Sequence, residues 1–241
     1  MQLFKRTYSI LLLTLSLLSA ASVAAEKTIL PETEGLWEYT SLVTSKGEDR
    51  PLTGIFLIKN GTFLQQSMYK SEPFDQQGSM AHAGTCWAGG AGLRLAADQT
   101  LHVYPLAKAP TSKLDSDGAT EHDLKVTRNG DNLTLVFSAG AGTVQTLKRV
   151  GSGDDMQVYQ LADGKLALSD GYFILVSGSP QGSVSGHGKY EQNGKVLTLN
   201  AISWSQSDGL NHRNLKDVSF KAFFDGKTLN LPDGKTFNVV D

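Results

Sequence analysis

The residues able to do chemistry in this chain are few and scattered. Histidines stand at His82, His102, His122, His187 and His212. None of them has the short helical spacing that places zinc ligands on one helix face, so no metal site is expected and exposed or hydrogen-bonded histidine is the default; the alternative is a site assembled across strands by folding. His102 and Tyr104 are two apart; on a strand they share a face and would line a cavity if that face turned inward. Cys86 is the single cysteine. As a nucleophile it would need a base, and His82 is the nearest in sequence. The reading preferred for it is a small apolar filler of a core. Its neighbour Trp87 then faces the other way. The acids gather in turn-like clusters (Glu48-Asp49, Asp115 and Asp117, Asp154-Asp155), as solvated loops do; a carboxylate pair for glycoside chemistry would have to be assembled by folding. There is no nucleophile elbow, phosphate loop or His-Glu-x-x-His, and Gly151-Ser152-Gly153 lacks the elbow spacing. No cofactor is expected.

The 241 residues carry 22 Lys and Arg against 24 Asp and Glu, a formal net charge of -2. No segment concentrates basic residues, which excludes a nucleic-acid footprint. One cysteine allows neither an intramolecular disulfide nor a multi-cysteine zinc site. Lys5 and Arg6, the apolar run from Ile10 to Leu18 and the small residues Val23-Ala24-Ala25 read as a bacterial-style signal peptide cleaved before Glu26. The apolar run is well short of the roughly 20 residues a membrane helix needs, so no span is expected after cleavage. A periplasmic or secreted protein follows. Asn60-Gly61-Thr62 and Asn132-Leu133-Thr134 match the glycosylation triplet, by chance in that setting.

The elements that must position any site are strands. Gly35–Val43, Gly54–Ile58 and Thr62–Tyr69 are β-branched and aromatic, and Asn60-Gly61 turns the chain between the last two. Glu72–Met80 reads as a loop. Ala83–Trp87 and Leu93–Leu95 flank a glycine-rich turn. Thr100–Leu106 reads as a further strand, and Ala107–Thr120 as a loop. His122–Thr127 and Leu133–Phe137 flank Asn129-Gly130, and Thr143–Val150 closes this half. Gly151–Asp155 has linker composition. Beyond it, Asp163-Gly164, Asn193-Gly194 and Asp225-Gly226 mark three more hairpins, Gly171–Val176 is a strand, and Thr236–Val240 ends the chain. No helix is predicted after the signal, and regularly spaced short strands predict an all-β barrel or sandwich.

The chain also repeats itself. Gly54–Gly61 resembles Gly171–Gly178. Gly84–Leu95 aligns without a gap on Gly188–Leu199, Asn129–Leu135 on Asp225–Leu231, and Gly142–Leu147 on Gly234–Val239. The order is kept. His82 and His187 fall one residue out of register in this scheme and are not to be paired by symmetry.

The first half resembles the bacterial lipocalin-like domains of the calycin type. The residues that carry the resemblance are Gly35-x-Trp37, Ala83-Gly84-Thr85-Cys86, the hairpin Asn129–Leu135, and Arg149, placed where that family sets a basic residue over its signature tryptophan. It covers about Gly35 to Val150. In the second half no Gly-x-Trp precedes Gly171 and no arginine follows Thr236. The resemblance implies antiparallel lipocalin-like barrels from an internal duplication: a signal peptide over 1–25, a lipocalin-like domain over 26–150 and a shorter related β domain over 151–241. Whether the halves make one barrel or two stays open.

On that analogy the expected function is to bind a small apolar or amphipathic molecule inside a barrel, with Phe56, Met68, Tyr69, His102 and Tyr104 lining the site. The same bulky residues would equally make a filled core. A barrel-fold hydrolase or isomerase using His102, Tyr104 or Cys86 is the enzymatic alternative. A module pairing through exposed strand edges is the structural one. An outer-membrane barrel fits poorly, because strands such as Lys189–Gln192 are too polar for a lipid-facing band. Oligomeric state is not legible.

Overall fold

The computed structural model describes residues 30–70, 72–90, 92–105, 112–114, 121–137, 142–179, 182–208 and 210–240. The segment expected to be a signal peptide, its expected cleavage point and most of the loop over 107–120 lie outside the described residues. Apart from two single 3-10 turns, Pro31–Thr33 and Phe74–Gln76, the regular structure is strand.

The first half holds β1 (Gly35–Val43), β2 (Leu52–Lys59), β3 (Thr62–Tyr69), β4 (Ser79–Gly89), β5 (Gly92–Val103), β6 (Ser112–Leu114), β7 (Glu121–Asn129), β8 (Asn132–Phe137) and β9 (Val144–Gly151). β1 pairs with both β2 and β9, and β4 with β5, so eight strands close into an antiparallel barrel, with short β6 laid beside the end of β5. The second half holds β10 (Gln157–Leu161), β11 (Gly164–Ser169), β12 (Tyr172–Ser179), β13 (Gly182–Asn193), β14 (Val196–Ser207), β15 (His212–Phe224), β16 (Thr228–Asn230) and β17 (Thr236–Asn238) in one meander of eight. A bridge between Leu161 and Val239 joins its two ends, flanked by Ala162 N–H donating to Asn238 O and Val240 N–H to Gln160 O. The chain is therefore all-β, with two antiparallel eight-stranded barrels in the arrangement of a duplicated lipocalin-like fold.

Turn chemistry explains the register. At the β2–β3 hairpin Asn60 has φ 48° and Gly61 φ 74°, the left-handed pair that a two-residue hairpin demands. Gly54 on β2 and Gly164 on β11 serve a different end. A Cβ on Gly54 would lie 2.2 Å from Gln66 O, and one on Gly164 would lie 2.0 Å from Val176 O. Each glycine lets a neighbouring strand press in where any side chain would collide.

That equivalence corrects one alignment. β2 is second in its barrel and β12 is third, so Gly54–Gly61 does not correspond to Gly171–Gly178. Gly54 matches Gly164, and Gly61-Thr62-Phe63 matches Gly171-Tyr172-Phe173. Adjacent strands of a meander are all apolar runs bounded by glycine, and composition alone slips by one strand. The other three alignments hold by position in the barrel. A second difference concerns Thr100–Leu106, which is not separate: β5 runs on to Val103, with Asp98 as the extra residue of a bulge opposite Ala83/Gly84. The second barrel repeats this bulge at Ile202, opposite His187/Gly188.

Each barrel has its own core. Trp37, Tyr39, Leu42, Phe56, Ile58, Phe63, Cys86 and Leu147 are among those filling the first; Phe173, Leu175, Leu197, Leu199, Trp204 and Phe224 are among those filling the second. One end of the first barrel is shut by Trp37. Its indole N–H donates to Thr33 O (2.9 Å), and the guanidiniums of Arg128 and Arg149 sit 5.6 and 5.8 Å from its ring centre. The matching place in the second barrel holds Tyr159, edge-on to Phe224 at 4.8 Å.

A third cluster joins the barrels through their outer faces. Leu36, Ile55, Leu57, Leu64, Ala81, Ala83 and Leu101 from the first pack with Ala167, Ile174 and Val176 from the second. β3 packs on β12, its own counterpart, and β4 on β12 is mirrored by β3 on β13. The interface is thus pseudo-two-fold, the pattern of an isologous contact. Polar links cross it: His187 Nδ1 to Gln66 Oε1 (2.5 Å), Ser79 Oγ–H donating to Ser205 Oγ (2.8 Å), Asn214 Nδ2–H donating to Gln77 O (2.6 Å), and an ion pair of Lys165 with Asp98.

Candidate functional site

The inner face of the first barrel turns polar toward the end opposite Trp37. Strand alternation sets Gln65 on β3, His82 on β4 and Thr100 on β5 in one inward row, since Gln65 pairs with His82 and His82 with Thr100. The next row outward holds Ser67, Met80 and His102 by the same ladders. The side chains connect. Tyr39 Oη–H donates to Gln65 Oε1 (3.2 Å), and the Gln65 amide nitrogen lies 2.9 Å from His82 Nδ1. His82 Nε2 is 3.4 Å from His102 Nε2, and His102 Nδ1 is 3.5 Å from Tyr104 Oη. The chain runs from a buried tyrosine, Tyr39, to one 48% exposed, Tyr104. Burial drives the Tyr39 phenol far above its ordinary range, with Tyr69 nearby adding to it, so that hydroxyl remains a donor. Two buried polar atoms on the same inner surface, Ser67 Oγ and Gln145 Oε1, have no hydrogen-bond partner among the described residues.

The second barrel fills the equivalent level. Its matching row is Leu175, Gly186 and Trp204. Trp204 is 1% exposed and donates its indole N–H to Gln206 Oε1 at 2.8 Å. Its ring lies where a Cβ on Gly186 would meet it at 2.4 Å. Where the first barrel presents amide, imidazole and hydroxyl, the second has an apolar plug.

Of the residues named from sequence, Tyr69, His102 and Tyr104 come together at the end of the first barrel opposite Trp37. Phe56 faces inward but lies deeper in the core, 2% exposed, stacked on Tyr39 and edge-on to Phe63. Met68 is fully buried on the outward face that it shares with Leu64 and Gln66, beside Thr53 and Ser79. Sequence reasoning passed over Gln65 and weighed His82 only as a base for Cys86. The signal was parity: His82, Gly84 and Cys86 alternate on one face, so an inward Cys86 implies an inward His82. The same parity places His187 outward, at the inter-barrel face. His122 packs edge-on to Phe137 at 5.3 Å, and its pKa is lowered by burial. His212 begins β15.

Cys86 sits in the first core, and burial, with Glu34 adding to it, pushes its thiol up to about 12. A thiolate nucleophile is disfavoured there. Ellman's reagent is expected to label Cys86 only as fast as the native protein opens, and quickly in denaturant. Rapid stoichiometric labelling under native conditions would reinstate it as a reactive group.

Two clefts lie elsewhere. One of about 380 Å³ opens at the end of the second barrel among Leu161, Asp163, Ser177, Ser183, Lys235 and Phe237. One of about 410 Å³ lies between the barrels, bounded by Thr53, Lys70, Phe74, Gln77, Ile202 and Lys216. Among the described residues no group of three or more His, Cys, Asp or Glu gathers as metal ligands, and no helix is long and apolar enough to cross a membrane.

Neither protein-family models, nor curated proteins, nor solved structures give a match to this chain. Strand order and closure make it a pair of antiparallel eight-stranded barrels, compatible with a lipocalin-like fold.

Proposed function

We propose that this is an exported ligand-binding protein whose first barrel receives a small amphipathic molecule at its open end. Tyr69 and Tyr104 would flank the apolar body of the ligand, and Gln65, His82 and His102 would meet its polar head. The observation that carries this reading is the contrast between the barrels: Gln65, His82 and Thr100 occupy the level that Leu175, Gly186 and Trp204 seal in the other copy. A filled core gains nothing from imidazoles and amides there, whereas a binding site needs a few convergent polar groups on an aromatic wall. The strand-edge alternative has less support, since all eight strands of the first barrel are flanked on both sides.

Native mass spectrometry of the protein released from the periplasm tests both parts together. The expected species has a mass beginning at Glu26 and carries a small-molecule adduct, which is depleted in His102→Asn and retained in His212→Ala. A protein still carrying residues 1–25 would overturn the export reading. Adduct-free protein, together with no binding of a dansyl-tagged fatty acid, would overturn the ligand reading.

A further inference from the structure

We infer that His82 and His102 form a divalent transition-metal site, with their two Nε2 atoms as the protein ligands. This goes beyond the ligand reading and does not depend on it.

The geometry is that of a chelate. The histidines sit on adjacent antiparallel strands, diagonal to each other on the inner face, since His82 pairs with Thr100 and Met80 with His102. Their Nε2 atoms point together at 3.4 Å. Two imidazole nitrogens bound at the usual zinc–nitrogen length in tetrahedral geometry stand about 3.3 Å apart. Seating a metal therefore asks for almost no movement of the strands.

The outer partners are already in place. A ligating imidazole holds its other nitrogen in a hydrogen bond, which fixes its tautomer and aim. His82 Nδ1 meets the Gln65 amide at 2.9 Å, and that amide is tied to the Tyr39 hydroxyl. His102 Nδ1 meets Tyr104 Oη at 3.5 Å. Without metal, one ring's Nε2–H points at the other's Nε2. With metal, both Nε2 atoms bind through their lone pairs and both Nδ1 atoms carry protons. His102 Nδ1–H then donates to Tyr104 Oη. A half-turn of the Gln65 amide presents Oε1 to His82 Nδ1–H and Nε2–H to Tyr39 Oη, and the Tyr39 O–H must then rotate away from Gln65 to a new acceptor. The tautomer changes and no proton is lost.

Imidazole pairs suit Cu(II), Zn(II) and Ni(II) rather than calcium or magnesium. Among the described residues these two nitrogens are the histidine, cysteine or carboxylate donors that gather there, which leaves coordination positions for water or an incoming anionic head group, and affinity in the micromolar range is expected.

The test is Cu(II) and Zn(II) titration of the purified mature chain by calorimetry, with electron paramagnetic resonance of the copper form. One equivalent of Cu(II) with two equatorial imidazole nitrogens is expected. His82→Asn and His102→Asn should each weaken it more than ~100-fold, and Gln65→Ala, which removes only the outer support, by about 10-fold. His212→Ala should leave it unchanged. Thermal melting of the asparagine variants checks that they fold, since each keeps a polar side chain at its place. No uptake at one equivalent by the native chain, or copper that persists with two nitrogen ligands in His102→Asn, would overturn the assignment.

Discussion

Ile174→Asp is expected to cost about 3–5 kcal/mol near neutral pH, the penalty of burying a carboxylate in an apolar site where no cation stands. Ile174 is 1% exposed and belongs to the cluster that joins the barrels. Its companions there include Leu57, Leu64 and Ala83, which cannot pair with a charge, and its cross-strand neighbour is His187, a buried imidazole held by Gln66 that would itself have to take up a proton to answer a carboxylate. Ile174→Val, which removes one methyl group from the same face, should cost only about 0.5–1.5 kcal/mol. Urea denaturation measures both. The aspartate variant has a second way to relieve itself, by parting the barrels and wetting the face. Small-angle scattering would then report a larger radius while circular dichroism still reads as β. An Ile174→Asp protein as compact and as stable as the parent would mean that this face does not hold the barrels together.

The other large effect is acid lability. Burial of His187 at the same interface lowers its pKa from 6.5 to about 4. The unfolded chain therefore binds this proton before the native state does. His187's contribution is fully present above about pH 6.5 and is lost as the pH falls toward 4, amounting to about 3 kcal/mol at the lower limit. Among the described residues the ring's hydrogen-bond partner across the interface is the Gln66 amide, at 2.5 Å, which cannot neutralise an imidazolium. His122, also lowered by burial, acts in the same direction. The exposed carboxylates Asp154, Asp208 and Asp225, held low mainly by hydrogen bonds, lose their contribution only below their unfolded range, at more acid pH. Urea midpoints measured at neutral pH and near pH 4.5 should separate much less in His187→Gln than in the parent. An unchanged separation would place the sensitivity elsewhere.

Sequence made the strands and their turns readable because both rest on local rules: alternation and β-branching for one, Asn-Gly and Asp-Gly for the other. It also held a clue to the inter-barrel face. Ile55-Phe56-Leu57-Ile58 is apolar at every position, as only a strand buried on both sides should be. Phe56 and Ile58 enter the core, while Ile55 and Leu57 meet the second barrel. The pairing across that face was not legible, because Gln66 and His187 are 121 residues apart and nothing local marks them as partners. The site was half legible. Parity assigns Tyr69, His102 and Tyr104 to the inner face once that face is known, but the sequence does not declare which face is inward. Met68, one residue from Tyr69, consequently falls outside. His82 was visible as a residue and passed over as a group, because its partner, His102, lies on the neighbouring strand.

The two barrels are not closed alike. β1 and β9 knit the first along most of their length, whereas the second is fastened by Leu161 against Val239 and the two backbone bonds beside it. So slender a clasp, next to a final strand of three residues, is where native fluctuations should begin. The amides of Ala162 and Val240 should surrender deuterium protection early, and the tail can lift from the second interior while the β1–β9 seam of the first holds. A molecule reaching the level of Trp204 would enter through this gate, on the slower clock of local unfolding.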